Sequence, residues 1–275
     1  MPENEYTLKN SFRNCNALHV YLSQKARKHN YYKIYTTYCK MIYWVNERAL
    51  FLSDGTQWND TKDSASFNNS NSDYYNYGLC FSFSRSENVA MWMLYGGMEH
   101  KGVMIDLWRD LVLNIISQTE TVDLGFWENN TFKAVMKLNK DYFKLSIIDV
   151  LYIAEGQSSN TYDIKRSGET IKNVDKAYVD ELNGIKKTYP WNYENECRLI
   201  LSVPRKLMKD KRLSTAKIPV GDIFIKVNKH NRIYKSPSFV EGSEQTELEN
   251  SKLRGEMNWD LCDKCPNTVK KHTAL

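Results

Sequence analysis

Two glutamates lie two residues apart in the segment Trp191–Arg198, which reads WNYENECR. If Glu194 and Glu196 were both on a strand, their side chains would share one face. Two carboxylates held so close repel each other, and the repulsion raises the pKa of one of them. Such a cost is tolerated where the pair meets a cation or takes part in chemistry. This segment is therefore the first candidate for a working site.

An ordinary structural interpretation of the same segment stays open. The two carboxylates would then be solvated at a strand edge, Arg198 would share their face as a counter-ion, and Trp191 would cover the core. Spacing alone favours this interpretation over a catalytic one.

Other polar and aromatic residues have similar alternatives. Ser82 lies on a strand beside Phe83, where a small hydroxyl either fills a half-buried face or binds a ligand. Trp92 and Tyr95 are three residues apart on a short helix, a spacing more often found in a core than in a ligand platform. Asp60 is most simply a turn residue that caps the next element.

Several familiar signatures are absent from the sequence. It contains neither a glycine-rich phosphate loop nor a Gly-x-Ser-x-Gly elbow, and its five histidines show no metal-ligand spacing, so a zinc-dependent or histidine-based hydrolase is disfavoured. Cys262 and Cys265, with His272, form half of a zinc motif, but a peripheral reduced pair is the favoured interpretation because no second cysteine pair accompanies them. No metal is expected.

Composition predicts a soluble chain in a reducing compartment, most simply the cytoplasm. The 275 residues are 41% hydrophobic, include six cysteines without a framework spacing, and contain no apolar run long enough to span a membrane. The net charge of +5 is too small to indicate a dedicated duplex-DNA binder, although it permits a nucleic-acid partner. The 18 tyrosines, seven tryptophans and ten phenylalanines suit packing, and also stacking on bases, nicotinamide or adenine.

Periodicity and turn residues predict an α+β fold with a split, mixed, mostly antiparallel sheet and flanking helices. The sequence predicts a single domain over residues 1–235, with a catalytic core at 30–227, and a polar peripheral segment at 236–275. Helices are predicted at 16–29, 87–95, 108–117, 130–146 and 172–187; strands at 31–37, 49–53, 78–84, 102–107, 150–153, 196–203 and 223–227; and loops at 61–76 and 156–170.

The order of the segments resembles the bacterial domain of unknown function number 2971 over residues 30–203. The blocks that carry the resemblance are Tyr32 to Tyr35, Leu52-Ser53, Trp58-Asn59-Asp60, Cys80-Phe81-Ser82, Met91-Trp92-x-x-Tyr95, Lys101-Gly102-Val103, Leu151-Tyr152 and Lys187-x-x-x-Trp191-x-x-Glu194-x-Glu196-x-Arg198. The chain departs from the family pattern at Thr61, where members usually have proline, and at Thr36-Thr37, where an Arg-Ser pair is common.

This layout is similar to the ADP-ribosyltransferase fold, and the resemblance implies an NAD-dependent mono-ADP-ribosyltransferase. Glu196 matches the catalytic glutamate, and Glu194 matches the preceding carboxylate, which orients the acceptor. The implied residues for NAD, which is the substrate, are Tyr35, Ser53, Ser82, Trp92 and Tyr95. The resemblance further implies a bacterial toxin or antiviral-defence effector that modifies nucleic acid or protein, with a possible antitoxin partner and no membrane partner.

Two alternatives from other functional classes remain. One is a metal-dependent nuclease or hydrolase that uses Glu194, Glu196 and Asp60 as metal ligands. The other is a non-catalytic defence sensor or scaffold in which the charged segment is a structural ion pair.

Overall fold

Helices and strands alternate irregularly along the chain in the computed structural model. The structure describes residues 12, 14–58, 60–68, 72–84, 88–95, 102–154, 160–166, 169–208, 213–221 and 232–236. The α-helices are α1 (Cys15–Ala26), α2 (Tyr38–Glu47), α3 (Thr61–Phe67), α4 (Val89–Tyr95), α5 (Arg109–Gln118) and α6 (Lys176–Asp180).

The strands are β1 (Tyr31–Thr37), β2 (Ala49–Ser53), β3 (Tyr74–Ser82), β4 (Gly102–Trp108), β5 (Thr121–Glu128), β6 (Thr131–Asn139), β7 (Lys144–Asp149), β8 (Leu151–Ile153), β9 (Thr161–Arg166), β10 (Glu169–Asp175), β11 (Lys186–Thr188), β12 (Glu196–Pro204), β13 (Thr215–Pro219) and β14 (Arg232–Lys235). Short 3-10 turns lie at Lys140–Tyr142, Tyr189–Glu194 and Arg205–Leu207.

The chain divides into two compact units, each assembled from three stretches of sequence. Unit 1 comprises residues 1–29, 52–80 and 120–216, and unit 2 comprises residues 30–51, 81–119 and 217–275. The single domain predicted over residues 1–235 stays a prediction.

Unit 1 contains a four-stranded sheet in the order β10-β9-β8-β11, in which only the β11–β8 pair is parallel. It also contains the antiparallel pair β12–β7 and the antiparallel hairpin β5–β6. Its helices begin at capping side chains: Asn14 accepts a hydrogen bond from Ala17 N, and Asp60 accepts from Lys62 N and Asp63 N. The apolar core of unit 1 includes Leu18, Leu22, Phe67, Ile148, Leu151, Ile164, Ile171, Val174, Val179, Leu182, Ile185 and Ile200.

Unit 2 contains an antiparallel sheet in the order β14-β4-β1-β3, where β3 contributes its last residues. The β1–β4 register runs without interruption from Tyr31 opposite Trp108 to Thr37 opposite Gly102. Both central strands, β1 and β4, are buried almost throughout, as expected for strands rich in aromatic and apolar residues. The predicted fold class is confirmed at this level: an α+β protein with mostly antiparallel sheet and several helices.

Four predictions of local structure are wrong. The predicted loop 156–170 contains β9 and the start of β10. The stretch predicted as helix 130–146 forms β6 and β7, and the stretch predicted as helix 172–187 forms most of β10, then α6 and β11. In both cases strand pairing overrides the helix propensity of lysine, leucine and methionine. The predicted loop 61–76 contains α3, because Asp60 caps it and Phe67 is buried at its end. The predicted strand 223–227 lies outside the described residues, as do Cys262 and Cys265.

No helix in the described ranges combines the length and apolar character that crossing a membrane requires.

Candidate functional site

Five charged side chains meet inside unit 1 and form what we term the charge cluster: Asp63, Lys187, Glu194, Glu196 and Arg198. Lys187 Nζ lies 2.5 Å from Glu194 Oε2 and 2.7 Å from Glu196 Oε2. Arg198 Nε lies 2.6 Å from Glu196 Oε1, and its two terminal nitrogens bind both carboxylate oxygens of Asp63. The side chains are between 0% and 6% exposed, so the cluster is a buried ion network.

The local chain geometry separates the two glutamates. Glu194 ends the 3-10 turn Tyr189–Glu194, which has Pro190 in its first turn. Asn195 then adopts the left-handed conformation with φ 43°, which asparagine tolerates better than most residues. Glu196 starts β12. The two carboxylates therefore do not share a strand face as the spacing predicted; they reach the same lysine from two different elements.

Arg198 lies two residues after Glu196 on β12, so the two side chains share a face. The predicted counter-ion role of Arg198 is confirmed, but the carboxylates are buried and not solvated. The guanidinium also donates to the carbonyl oxygen of Gly184 and lies 4.4 Å from the centroid of the Trp58 ring. This arginine therefore combines a bidentate ion pair, a backbone hydrogen bond and aromatic packing, which a lysine could not reproduce.

The charges keep Glu196 ionised. Burial opposes ionisation of this carboxyl, but Arg198 and Lys187 outweigh it and hold the pKa of Glu196 well below its usual range. Burial likewise disfavours the ammonium of Lys187, yet Glu196 and Glu194 raise the pKa of Lys187 above its ordinary value. The cluster thus favours an anionic Glu196 beside a cationic Lys187.

Neutral groups complete the surroundings of Glu196. Its backbone N–H donates to the hydroxyl of Tyr152 at 2.8 Å. The Cys80 thiol donates to the Glu196 carboxylate, and burial, followed by the charge of Glu196, raises the pKa of that thiol. Cys80 is therefore a neutral hydrogen-bond donor here and not a thiolate.

Gly184 makes the arginine site possible and gives a stability prediction. Its φ is +70°, and an added Cβ would lie 2.2 Å from Phe67 Cδ2. Gly184→Ala is expected to cost about 1–2 kcal/mol for the left-handed backbone and about 1–3 kcal/mol for overpacking. Gly221→Ala is the matched control, because its φ is +58° and no atom of a described residue lies within 4 Å of the added Cβ. Urea unfolding of both variants checks this; equal losses would show that the Phe67 contact costs nothing.

A second buried ion group in unit 1 is centred on Asp149, which is 0% exposed. One carboxylate oxygen lies 2.8 Å from His29 Nε2 and the other 2.5 Å from Arg166 Nε. This group resembles the charge cluster in burial and pairing but contains no residue that the sequence predicted as functional. It therefore supplies a control for experiments on Glu196.

The predicted cofactor residues of unit 2 lie around one face of its sheet. Ser82 is opposite Lys33, which in turn is opposite Asp106, and residues paired in this way point to the same face. Tyr35 follows two residues after Lys33 and shares that face. All four side chains are buried.

Helix α4 contributes the aromatic partner of Tyr35. The rings of Tyr35 and Trp92 pack edge to face with centroids 5.0 Å apart, and Asn88 N donates to the Tyr35 hydroxyl at 3.4 Å. Trp92 Nε1 is buried and has no hydrogen-bond acceptor among the described residues. Buried donors of this kind are uncommon in folded proteins. Tyr95 ends the same helix.

The structure thus brings together two groups of predicted site residues. Glu194 and Glu196 meet in unit 1, and Tyr35, Ser82 and Trp92 lie around one face in unit 2. Ser53 belongs to unit 1, where its hydroxyl accepts a hydrogen bond from Gly55 N, the pattern of a turn residue. Sequence reasoning missed Asp63, because it lies in a stretch predicted as loop, and it missed Lys33 and Asp106, because strand register was needed to pair them.

No metal site accompanies these groups in the described part of the chain, where no three His, Cys, Asp or Glu side chains are arranged to hold an ion. The Asp60 carboxylate, a ligand in the nuclease alternative, caps α3. The described cysteines, Cys15, Cys39, Cys80 and Cys197, are free thiols as predicted.

The fold and these two groups define an α+β protein with a buried ion network at the start of β12. Comparison with known families adds that residues 91–199 match the family described as Protein of unknown function (DUF2971). The predicted resemblance is confirmed over that stretch, which includes Trp92, Lys187, Glu194, Glu196 and Arg198. No curated protein and no solved structure matches the chain.

Proposed function

We propose that the protein is an NAD-dependent mono-ADP-ribosyltransferase in which Glu196 is the catalytic carboxylate and Glu194 orients the acceptor. The observation that carries the proposal is the position of the buried Glu196 carboxylate, 2.6 Å from Arg198 Nε and 2.7 Å from Lys187 Nζ, two cations that favour its ionised form. A fixed anion in a buried environment stabilises positive charge far better than a solvated one.

The reaction requires such an anion. The bond between ribose C1′ and the nicotinamide nitrogen breaks, and its electron pair leaves with neutral nicotinamide. The sugar passes through an oxocarbenium-like transition state, as in glycoside hydrolysis. An oxygen or nitrogen of the acceptor forms the new bond to C1′ and releases its proton to Glu194 or to water. Glu196 would hold a ribose hydroxyl and stabilise the developing charge.

The unit 2 residues give separate support for a ligand with an aromatic, hydrogen-bonding head group. An acceptor atom on such a ligand would satisfy Trp92 Nε1, and the Tyr35 ring offers an aromatic edge beside it. Ser82, Tyr95 and Ser53 keep the cofactor-binding roles that the family resemblance implies, and Ser53 keeps its role on that resemblance alone.

The test is transfer of label from NAD. We expect label to enter protein or nucleic acid when purified protein is incubated with labelled NAD and cell lysate, and Glu196→Gln to lower the rate by about 10²–10³-fold. Glu194→Gln should lower transfer to the acceptor more than it lowers nicotinamide release, because the role of Glu194 is assigned to formation of the bond between C1′ and the acceptor. Transfer that survives Glu196→Gln would contradict the proposal.

A non-catalytic sensor or scaffold is the second candidate, and one observation favours it. The Glu196 side chain is only 3% exposed, so NAD can reach the carboxylate only if a neighbouring segment moves. A saturated ion network is also what a purely structural role requires. This candidate predicts no nicotinamide release by the wild-type protein and no difference between Glu196→Gln and other cluster variants beyond stability.

The remaining alternative, a metal-dependent nuclease or hydrolase, receives less support, because Lys187 and Arg198 already occupy the carboxylate oxygens it would use. A role as a toxin or antiviral effector, an antitoxin partner and a cytoplasmic location stay predictions from the sequence.

A further inference from the structure

The 3-10 turn Tyr189–Glu194 carries three aromatic residues beside the charge cluster. Tyr189, Trp191 and Tyr193 are each half-buried, and Pro190 between them is exposed. The Trp191 and Tyr193 rings lie 6.2 Å apart with an angle of 35° between their planes. We refer to Tyr189–Glu194 as the aromatic turn. Several neighbouring aromatic rings that are partly exposed offer a surface on which flat groups can stack.

Lysines from the four-stranded sheet reach this turn. Lys187, Tyr152 and Lys165 are paired in register across β11, β8 and β9, so they share one face. The aromatic turn lies against the same three strands. One end of the row is the buried ammonium of Lys187, which lies 5.5 Å from the Trp191 ring centroid. The row therefore connects the charge cluster with the surface of the turn.

The other end of the row carries a partly exposed positive charge. Lys165 Nζ donates to the Tyr189 hydroxyl at 2.9 Å and lies 4.1 Å from the centroid of that ring. This hydrogen bond and the positive charge of Lys165 lower the pKa of Tyr189. An ammonium has three N–H donors, and Tyr189 uses one of them. Lys165 can therefore also bind an anionic oxygen from solvent.

We propose that the aromatic turn, together with Lys165, binds single-stranded nucleic acid: unpaired bases stack on Trp191 and Tyr193, and Lys165 contacts a phosphate. Bases and phosphates alternate along a nucleic-acid strand, and the partly exposed aromatic rings beside a lysine can bind the bases and the phosphates, respectively. The faces of paired bases are covered in a duplex, so the surface selects single strands. The net charge of +5 favours a polyanion such as nucleic acid as the partner over a basic peptide, which the protein would repel.

The inference has two parts. The assignment of nucleic acid as the molecule that receives ADP-ribose near Glu194 rests on the proposed function. The binding of a single strand to the aromatic turn is independent of catalysis and can be measured without NAD.

The binding experiment uses fluorescence anisotropy with labelled single-stranded DNA and RNA of about 12 nucleotides. Trp191→Ala is expected to weaken binding by about 5- to 150-fold, the loss that corresponds to one stacked base. Trp191→Phe should retain most of the affinity because it keeps an aromatic face. Trp127→Ala is the matched control, since Trp127 is 42% exposed on the β5–β6 hairpin. The affinity of this variant for the single strand should equal that of the wild type.

The salt dependence tests the phosphate contact. Lys165→Gln is expected to reduce the slope of log K against log salt by about 0.7, the value for one phosphate contact on a single strand. Lys133→Gln, an exposed lysine on β6, is the control and should leave the slope unchanged.

The outcomes separate this inference from the proposed function. Equal affinity for duplex and single strand, or equal affinity of Trp191→Ala and wild type, would overturn it. Label from NAD that enters polypeptide and not nucleic acid in the lysate would overturn the assignment of nucleic acid as the acceptor. Single-strand binding that depends on Trp191 would support it, even if nicotinamide release is absent and the transferase proposal fails.

Discussion

Replacing Arg198 with leucine is expected to lower the free energy of unfolding by about 3–5 kcal/mol. The arginine is fully buried and binds Asp63 and Glu196 at once. Leucine would remove this counter-charge and leave Lys187 as the remaining cation of the charge cluster, in a region where water cannot solvate the carboxylates. Removal of one partner from a buried ion network is far more costly than loss of a surface pair.

Urea unfolding followed by circular dichroism near neutral pH measures this loss. Arg109→Leu is the matched control, because Arg109 pairs with Asp110 at the surface and the same substitution there should cost at most about 1 kcal/mol. Adding Asp63→Asn to Arg198→Leu should restore part of the stability, since it removes one of the two carboxylates that lose their contact with Arg198. Equal losses for Arg198→Leu and Arg109→Leu would contradict the description of the cluster.

Glu196→Gln is expected to destabilise the protein most near neutral pH and progressively less in acid. The pKa of Glu196 is lowered in the folded protein from its ordinary value of 4.5, so its ionised form stabilises the fold. That contribution is fully present above the pKa of the unfolded chain and is lost as pH falls through the folded pKa. The wild-type protein loses this contribution in acid, whereas the glutamine variant has none to lose.

The measurement is the difference in unfolding free energy between wild type and Glu196→Gln as a function of pH. We expect about 3–5 kcal/mol near neutral pH, and a smaller difference as the pH falls below 4.5. Glu120→Gln supplies the control, because Glu120 forms an exposed pair with Lys140 and should show a small difference throughout. A difference that is constant with pH would mean that Glu196 is not held as a carboxylate.

The sequence was informative where the decisive contacts are local. Glu196 and Arg198 are two residues apart on one strand, so their pairing could be predicted from the period of a strand alone. Asp60 as the cap of the next element was predicted for a similar reason, because a capping side chain bonds to the residues that follow it directly.

Contacts between distant parts of the chain could not be predicted in this way. Asp63 is 135 residues from Arg198, and the polar composition around it indicated a loop. A single buried residue, Phe67, and the Asp60 cap were enough to fold that stretch into α3. The residues of β6 have the helix propensity that suggested a helix over 130–146, and only pairing with β5 reverses it.

The role of Lys187 shows the same limit within the site. The lysine was part of the segment that carried the family resemblance, yet nothing in its spacing predicted contact with both Glu194 and Glu196. That contact exists because the aromatic turn returns Glu194 to β11 while β12 begins at Glu196.

The central claim, that Glu196 is a catalytic carboxylate, is tested most directly by the rate of nicotinamide release from NAD per folded molecule. Three purified proteins are compared at one temperature where all are folded: wild type, Glu196→Gln and Asp149→Asn. Asp149 is as deeply buried and as fully paired as Glu196, so its variant reports the cost of disturbing a buried ion group in unit 1. We predict release by wild type and by Asp149→Asn, and a rate lower by about 10²-fold or more for Glu196→Gln. Equal rates for the two variants, or no release by the wild-type protein, would contradict the claim.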